Sequence, residues 1–212
     1  MKLVMLSQQL DPTDRVIAPR FAELLRDGPG RVAYLPSAPD PERAWFDPQS
    51  RCYATLGISL EYFGVEQEFD AERVAELFGM DAIHLSGGNT FRFMHWLRTR
   101  GLTKGIRDFV DAGGTLIGVS AGAIIMTPDI GTASLCGDLR VPGVEGDDGL
   151  ALVEFLVVPH FIASDPARVG LSTLARHYRR NVYAIPDGAA VVVADGHTQT
   201  LGPVTVLDGA RR

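Results

Sequence analysis

The stretch Gly114–Met126, GTLIGVSAGAIIM, decides how the rest of the chain is read. Its first half, TLIGV, is a short apolar run suited to a buried strand. Its second half, AGAIIM, opens like a buried helix. Ser120 sits at the junction, between Gly118 and Gly122 in the pattern G-x-S-x-G. A strand, a sharp turn and a helix in that order can lift a serine hydroxyl off the carboxyl end of the strand. The same letters also suit a small-residue turn with no chemistry. Only partners elsewhere in the chain separate the two.

Outward from this stretch, short β-type runs alternate with helical ones. KLVMLS (2–7), RVAYLPS (31–37), GISLEYF (57–63) and DAIHLSGGNT (81–90) read as strands running into turns. Residues 14–27, 41–56 and 70–79 read as helices, with Pro19 a blemish in the first and Asp70 and Gly79 as start and stop of the third. FRFMHWLRTRG and LTKGIRDFVDAGG read as two more. Alternation of this kind predicts an α/β fold: a three-layer, mostly parallel central sheet flanked by helices. The last third differs. LALVEFLVVPHF, NVYAIPDG, AAVVVADG and QTLGPVTVLDG are strand-like runs broken by Asp-Gly turns, with one helix at 166–180 between them. They predict a small antiparallel C-terminal addition.

Composition narrows the class. The chain has 212 residues, 46% of them hydrophobic, which suits one domain over 1–212 with a sizeable core. A net charge of -6 speaks against a nucleic-acid partner, because such binding rests on a basic footprint. Cys52 and Cys136 stand in no metal-like spacing, so reduced thiols are expected. The N-terminal apolar run is too short for a signal peptide, and no stretch is long enough for a membrane span. The expectation is a cytoplasmic protein that binds no membrane.

A nucleophilic serine needs a base, and the base needs an orienting carboxylate. Five histidines are available. His84 lies inside a strand and reads as a core residue. His95 and His177 lie among charged helical neighbours, and His197 in a turn. His160 closes the run FLVVPH, where strand ends meet, and is the best base by position. Asp187 follows a late strand in Pro-Asp-Gly, which is also an ordinary turn sequence. Gly87 and Gly88 in LSGGNTF lie at another strand end and can lend N–H groups to an oxyanion. Asn89 and Thr90 there also suit plain helix capping. No Gly-Lys-Ser/Thr follows, so the turn is not a phosphate-binding loop.

LSGGNTF (85–91), GVSAGA (118–123), VPHF (158–161) and IPDG (185–188) occur in the same order as the matching motifs of a known family. The chain resembles the dipeptidase E (α-aspartyl dipeptidase) serine peptidases, of which cyanophycinases are distant members. The resemblance implies a fold similar to class I glutamine amidotransferase domains, with serine in place of cysteine at the elbow. It implies Ser120 as nucleophile, His160 as general base and Asp187 as third member, where the family often has Glu. Gly88 and Ala121 would supply the oxyanion N–H groups, with Asn89 beside them in the substrate site. It implies hydrolysis of small peptides, above all dipeptides with N-terminal aspartate, without metal or cofactor. A homo-oligomer is expected.

Two departures stand out. Family members that act on aspartyl dipeptides carry an aspartate a short way past the serine, and the ungapped count places Leu135 there. The segment after His160 is also altered. Arg168 is the first candidate to read an acidic substrate side chain, with Arg140 and Arg92 in reserve. Three functions follow for test: an aspartyl dipeptidase; the same site with broader, non-aspartyl or β-aspartyl specificity; or a non-catalytic amidotransferase-like binding domain.

Overall fold

The structure, a computed structural model, describes residues 1–25, 30–162 and 167–209, with the side chains of 167–169 left out of the description. Strand β1 (Lys2–Leu6) leads to helix α1 (Ile17–Leu24). Pro19 is the third residue of α1. It sits in the first turn, where the N–H it lacks has no intrahelical acceptor, so it does not break the helix. Asp14 caps this helix, its Oδ1 accepting from Val16 N–H at 2.7 Å and Ile17 N–H at 2.6 Å. The C-terminal end of the helix expected over 14–27 runs into residues outside the description.

β2 (Arg31–Leu35), α2 (Phe46–Thr55) and β3 (Ser59–Tyr62) follow. α2 is shorter than the expected 41–56. Asp40 Oδ2 accepts from Trp45 N–H at 3.1 Å and Phe46 N–H at 3.0 Å, which fixes the helix start there. The third expected helix is a 3-10 turn, Ala71–Arg73, capped by Asp70, running into α3 (Val74–Leu77). Then come β4 (Ala82–Leu85), α4 (Thr90–Thr99), α5 (Leu102–Asp111), β5 (Thr115–Val119) and α6 (Ala121–Ile125). The last third holds β6 (Leu156–Pro159), α7 (Ala167–Tyr178), β7 (Val182–Ile185), β8 (Ala190–Ala194), β9 (His197–Leu201) and β10 (Thr205–Leu207).

The main sheet has seven strands in the order β3-β2-β4-β5-β1-β8-β9. The first five are parallel, and β8 and β9 are antiparallel additions. A two-residue turn, Asp195-Gly196, joins β8 to β9, with φ 53° and 75°. Positive φ at both positions is what a tight hairpin turn demands, and Asp-Gly supplies it. The expected C-terminal addition also contains a separate three-stranded sheet, β10-β7-β6, in which β6 and β7 are parallel and β10 antiparallel.

Side chains along each strand alternate between two cores. Leu3, Met5, Ile83, Leu85 and Leu116 face α4, α5 and α6, through Phe91, Phe93, Leu97, Ile106 and Ile124. Val4, Leu6, Val32, Ile117 and Val119 face α1 and α2, through Ile17, Phe21 and Tyr53. That alternation is the three-layer α/β arrangement. The small sheet does the same on a smaller scale. Leu156 and Val158 pack on α7 through Leu171 and Ala175, whereas Val157 and Ile185 join the larger core. Each fully buried Leu or Ile here is worth about 1.5–3 kcal/mol of hydrophobic transfer.

Candidate active site

The strand register brings the chemistry-bearing residues to one edge. Leu35 pairs with Leu85, Leu85 with Gly118, and Val119 with Leu6. Two residues past Leu35, Leu85 and Gly118, and one past Leu6, therefore stand Ser37, Gly87, Ser120 and Ser7, roughly level across the carboxyl ends of β2, β4, β5 and β1. In the small sheet Pro159 pairs with Ile185, so His160 and Asp187 leave the ends of β6 and β7 side by side. Ligands of parallel sheets collect at this edge.

Ser120 has φ 49° and ψ -106°, a conformation that costs a non-glycine residue on the order of 1–3 kcal/mol. The surroundings hold it there. Its N–H donates to Leu6 O at 2.9 Å, and its carbonyl accepts from Ala123 N–H at 3.0 Å and Ile124 N–H at 3.1 Å. The two flanking glycines are required by close approach. A Cβ on Gly122 would lie 2.2 Å from Leu85 O, and one on Gly118 would lie 2.4 Å from the Gly122 carbonyl carbon. The elbow packs so tightly on its neighbours that only glycine fits on either side of it.

His160 Nε2 lies 2.9 Å from Ser120 Oγ, and His160 Nδ1 lies 2.8 Å from Asp187 Oδ1. Ser7, fully buried, ties this row together: its Oγ donates to Asp187 Oδ1 at 2.7 Å and accepts from His160 N–H at 2.7 Å. The second bond helps hold His160 at a left-handed φ of 57°. Burial acts to raise the Asp187 carboxyl pKa, but the hydrogen bonds from Ser7 and His160 and the imidazole charge outweigh it and leave it below the usual value. A row of this kind can move a proton from the serine hydroxyl to the imidazole and stabilise the imidazolium. Sequence reasoning had passed over Ser7. Its one visible signal is its place as the last letter of KLVMLS, at the carboxyl end of β1, the strand beside β5.

Gly88 has φ 135°, and a Cβ on it would fall 2.0 Å from Ser37 Oγ. Ser37 Oγ and Ser86 Oγ both donate to Gly87 O, at 2.5 and 3.1 Å. The peptide is trans, so the Gly88 N–H points away from those hydroxyls. Asn89 caps α4, accepting from Arg92 N–H at 2.9 Å, and donates to Leu139 O at 2.8 Å. Asp138 caps the same helix through Thr90 N–H at 2.8 Å.

The chain matches the family model described as peptidase family S51 over residues 3–201. It belongs to that family. A member of family S51 is a serine peptidase, a hydrolase. Peptidase E of Escherichia coli O1:K1 / APEC is 29% identical over 196 residues, covering 88% of this chain and 82% of that one. Peptidase E of Shigella boydii serotype 18 matches to the same extent. Among solved structures, a putative peptidase E protein from Listeria monocytogenes EGD-e has a TM-score of 0.75 at 25% identity, covering 94% of this chain and 96% of that one. A peptidase from an acI-B1 Actinobacterium has a TM-score of 0.73 at 21% identity, with coverage of 99% and 91%.

The remaining candidates of this S51 peptidase lie as follows. Arg92 is engaged by Glu66 through two bonds of 2.8 and 2.7 Å. Arg140 is engaged by Asp147 at 2.6 and 2.7 Å and lies over the Phe91 ring. The Arg168 side chain falls outside the description. Leu135 is 49% exposed in a 3-10 helix, Gly131–Cys136. His84 is buried, with Nδ1 2.7 Å from Tyr53 Oη, and burial pulls its pKa down to about 3. Cys136 approaches Pro159 O, but burial pushes its thiol up to about 12, which removes it as a rival nucleophile. Among the described residues no helix is long and apolar enough to cross a membrane.

A cleft of about 480 Å³ opens over Ser120, Gly87, Gly88 and His160. Tyr34, Pro36, Ala38, Pro39 and Trp45 from the β2 side form its far wall, and Gln8 and Gln9 its near rim. Asp40 is the one carboxylate among its described lining residues, and none of them is Lys or Arg.

Proposed function

We propose that this chain removes or splits residues at the N-terminal side of short peptides, dipeptides above all, by acyl transfer to Ser120. His160 takes the Ser120 proton as Oγ attacks the scissile carbonyl. Asp187 holds the imidazole with Nδ1–H toward itself and stabilises the imidazolium. Ser7 fixes both partners from beneath. The N–H groups of Gly88 and Ala121 receive the oxyanion of the tetrahedral intermediate. His160 then protonates the leaving amine, and water repeats the sequence on the acyl-enzyme. This chemistry calls on no metal or cofactor. The observation that carries the reading is the continuous hydrogen-bonded row from Ser120 through His160 to Asp187. Its test is dipeptide hydrolysis by Ser120→Ala, which should fall by about three powers of ten or more.

On substrate choice two readings compete. The family resemblance favours N-terminal aspartate, which calls for a cation, and Arg168 is the residue left for it. A specific observation favours the second, non-aspartyl reading. The described lining of the cleft carries no cation, Arg92 and Arg140 are paired elsewhere, and Leu135 stands where an acid was expected. A panel of X-Leu dipeptides separates them. The proposal takes the whole chain as one peptidase domain working in the cytoplasm, since the small sheet shares the larger core through Val157 and Ile185. Assembly into a homo-oligomer belongs to the same proposal, and light scattering of the purified chain tests it.

A further inference from the structure

Trp45 is 75% exposed at the mouth of the cleft. An indole is a large apolar surface, and standing it in water forgoes burial that most tryptophans achieve. Nor is it a loose surface residue. Asp40, itself 5% exposed, accepts the N–H of Trp45 and of Phe46 and so pins the backbone from which the indole projects. Its company on that wall, Pro36 and Pro39, is apolar and conformationally stiff. The surface is built before any substrate arrives, which keeps the ordering cost of binding small.

The strand order says which half of a substrate meets this wall. Across the sheet edge run the β2 loop with Trp45, then β4 with Gly87, then β5 with Ser120, then β1 with Ser7, on which His160 rests. Ser120 lies between Trp45 and the base. The leaving amine must come within reach of His160 to be protonated. A side chain that reaches Trp45, on the other side of Ser120, therefore belongs to the acyl half. In a dipeptide the acyl half is the N-terminal residue.

We infer that the cleft between Ser120 and Trp45 is a subsite for an apolar N-terminal side chain, aromatic above all, and that this peptidase prefers such residues to aspartate. The inference rests on Ser120 acting as nucleophile, as proposed above. A substrate carboxylate in this cleft would lose hydration, meet no cation on the described walls and share them with Asp40. An aromatic ring would cover the exposed indole and lose nothing by desolvation.

The experiment compares kcat/KM for Phe-Leu, Ala-Leu, Asp-Leu and Lys-Leu in wild type, Trp45→Ala, Trp45→Phe and Ser120→Ala. Wild type should favour Phe-Leu over each of the others by about tenfold or more. Trp45→Ala should bring the ratio of Phe-Leu to Ala-Leu near one, chiefly through KM. Trp45→Phe should lower the ratio about two- to threefold, because the smaller ring covers less of a substrate side chain, and it carries the test should the alanine variant fail to fold. Asp-Leu or Lys-Leu as the best wild-type substrate overturns the subsite. So does an unchanged Phe-to-Ala ratio in Trp45→Ala, or in Trp45→Phe where the alanine variant does not fold. If Ser120→Ala cleaves as fast as wild type, the nucleophile reading falls, and the subsite with it. Dead Ser120→Ala with an aspartate-preferring wild type removes the subsite alone.

Discussion

Ser7 donates a 2.7 Å hydrogen bond to Asp187 across 180 positions of sequence, and the oxygen that accepts it also faces His160 Nδ1. The buried hydroxyl thus joins the end of β1 to a turn of the small sheet. Removing it leaves Asp187 with one fewer donor and the His160 N–H with one fewer acceptor. Ser7→Ala should lower kcat by about ten- to a hundredfold, the scale of a small misplacement of reacting groups, with KM little changed. The Asp187 carboxyl should titrate closer to the ordinary carboxylate range, because a donor that stabilises its charged form is gone. Steady-state kinetics and carboxyl-carbon NMR titration measure the two effects separately.

Loss of nucleophile and loss of base should not add. Ser120→Ala, His160→Ala and the double variant should all retain about the same residual activity, since each disables one proton-transfer unit. Single-turnover rates on one dipeptide check this. Independent, multiplying losses would show that the two side chains do not act together.

Gly88→Ala should be destabilising and nearly inactive. The added Cβ meets Ser37 Oγ at 2.0 Å and sits at φ 135°, which L-residues rarely adopt. The peptide whose N–H is proposed to receive the oxyanion would have to turn. Removing an oxyanion donor costs about 10²–10³ in kcat. Ser37→Ala added to Gly88→Ala should recover part of the thermal stability, by removing the clash, and little of the activity, because the backbone strain remains.

His84 gives the fold a pH dependence of known sign. Its pKa is about 3 in the folded chain, lowered from 6.5 by burial. Unfolding releases it to bind a proton, so its contribution is complete above the unfolded pKa and is lost as pH falls toward the folded one. Between those values stability should decline by up to about 1.4 kcal/mol per pH unit from this residue. Urea midpoints measured at successive pH values should show the decline. His84→Leu combined with Tyr53→Phe, which leaves no stranded hydroxyl, should flatten it.

How far the sequence alone reaches differs from element to element. The elbow was legible because close packing forces glycine at both Gly118 and Gly122, and that requirement leaves a pattern in the letters. The β8–β9 hairpin was legible because positive φ at two adjacent positions calls for Asp-Gly. The separate small sheet was not, because β7 pairs with β6 from across α7, and partner choice among short apolar strands is settled by long-range packing. The start of α2 at Phe46 depended on Asp40 reaching forward over several residues to cap it, a spacing that ordinary capping patterns miss. Ser7 was hidden for a different reason. A serine that closes a strand reads as a terminator, and its two partners lie far along the chain.

The account turns on Ser120 as the group that attacks the peptide carbonyl, and the most direct test is turnover of a dipeptide panel by purified Ser120→Ala. The prediction is a folded protein, with about wild-type thermal stability because alanine keeps the same strained backbone, that has lost about three powers of ten or more in kcat on every substrate the wild type cleaves. A Ser120→Ala protein that cleaves any of those dipeptides at the wild-type rate would contradict it.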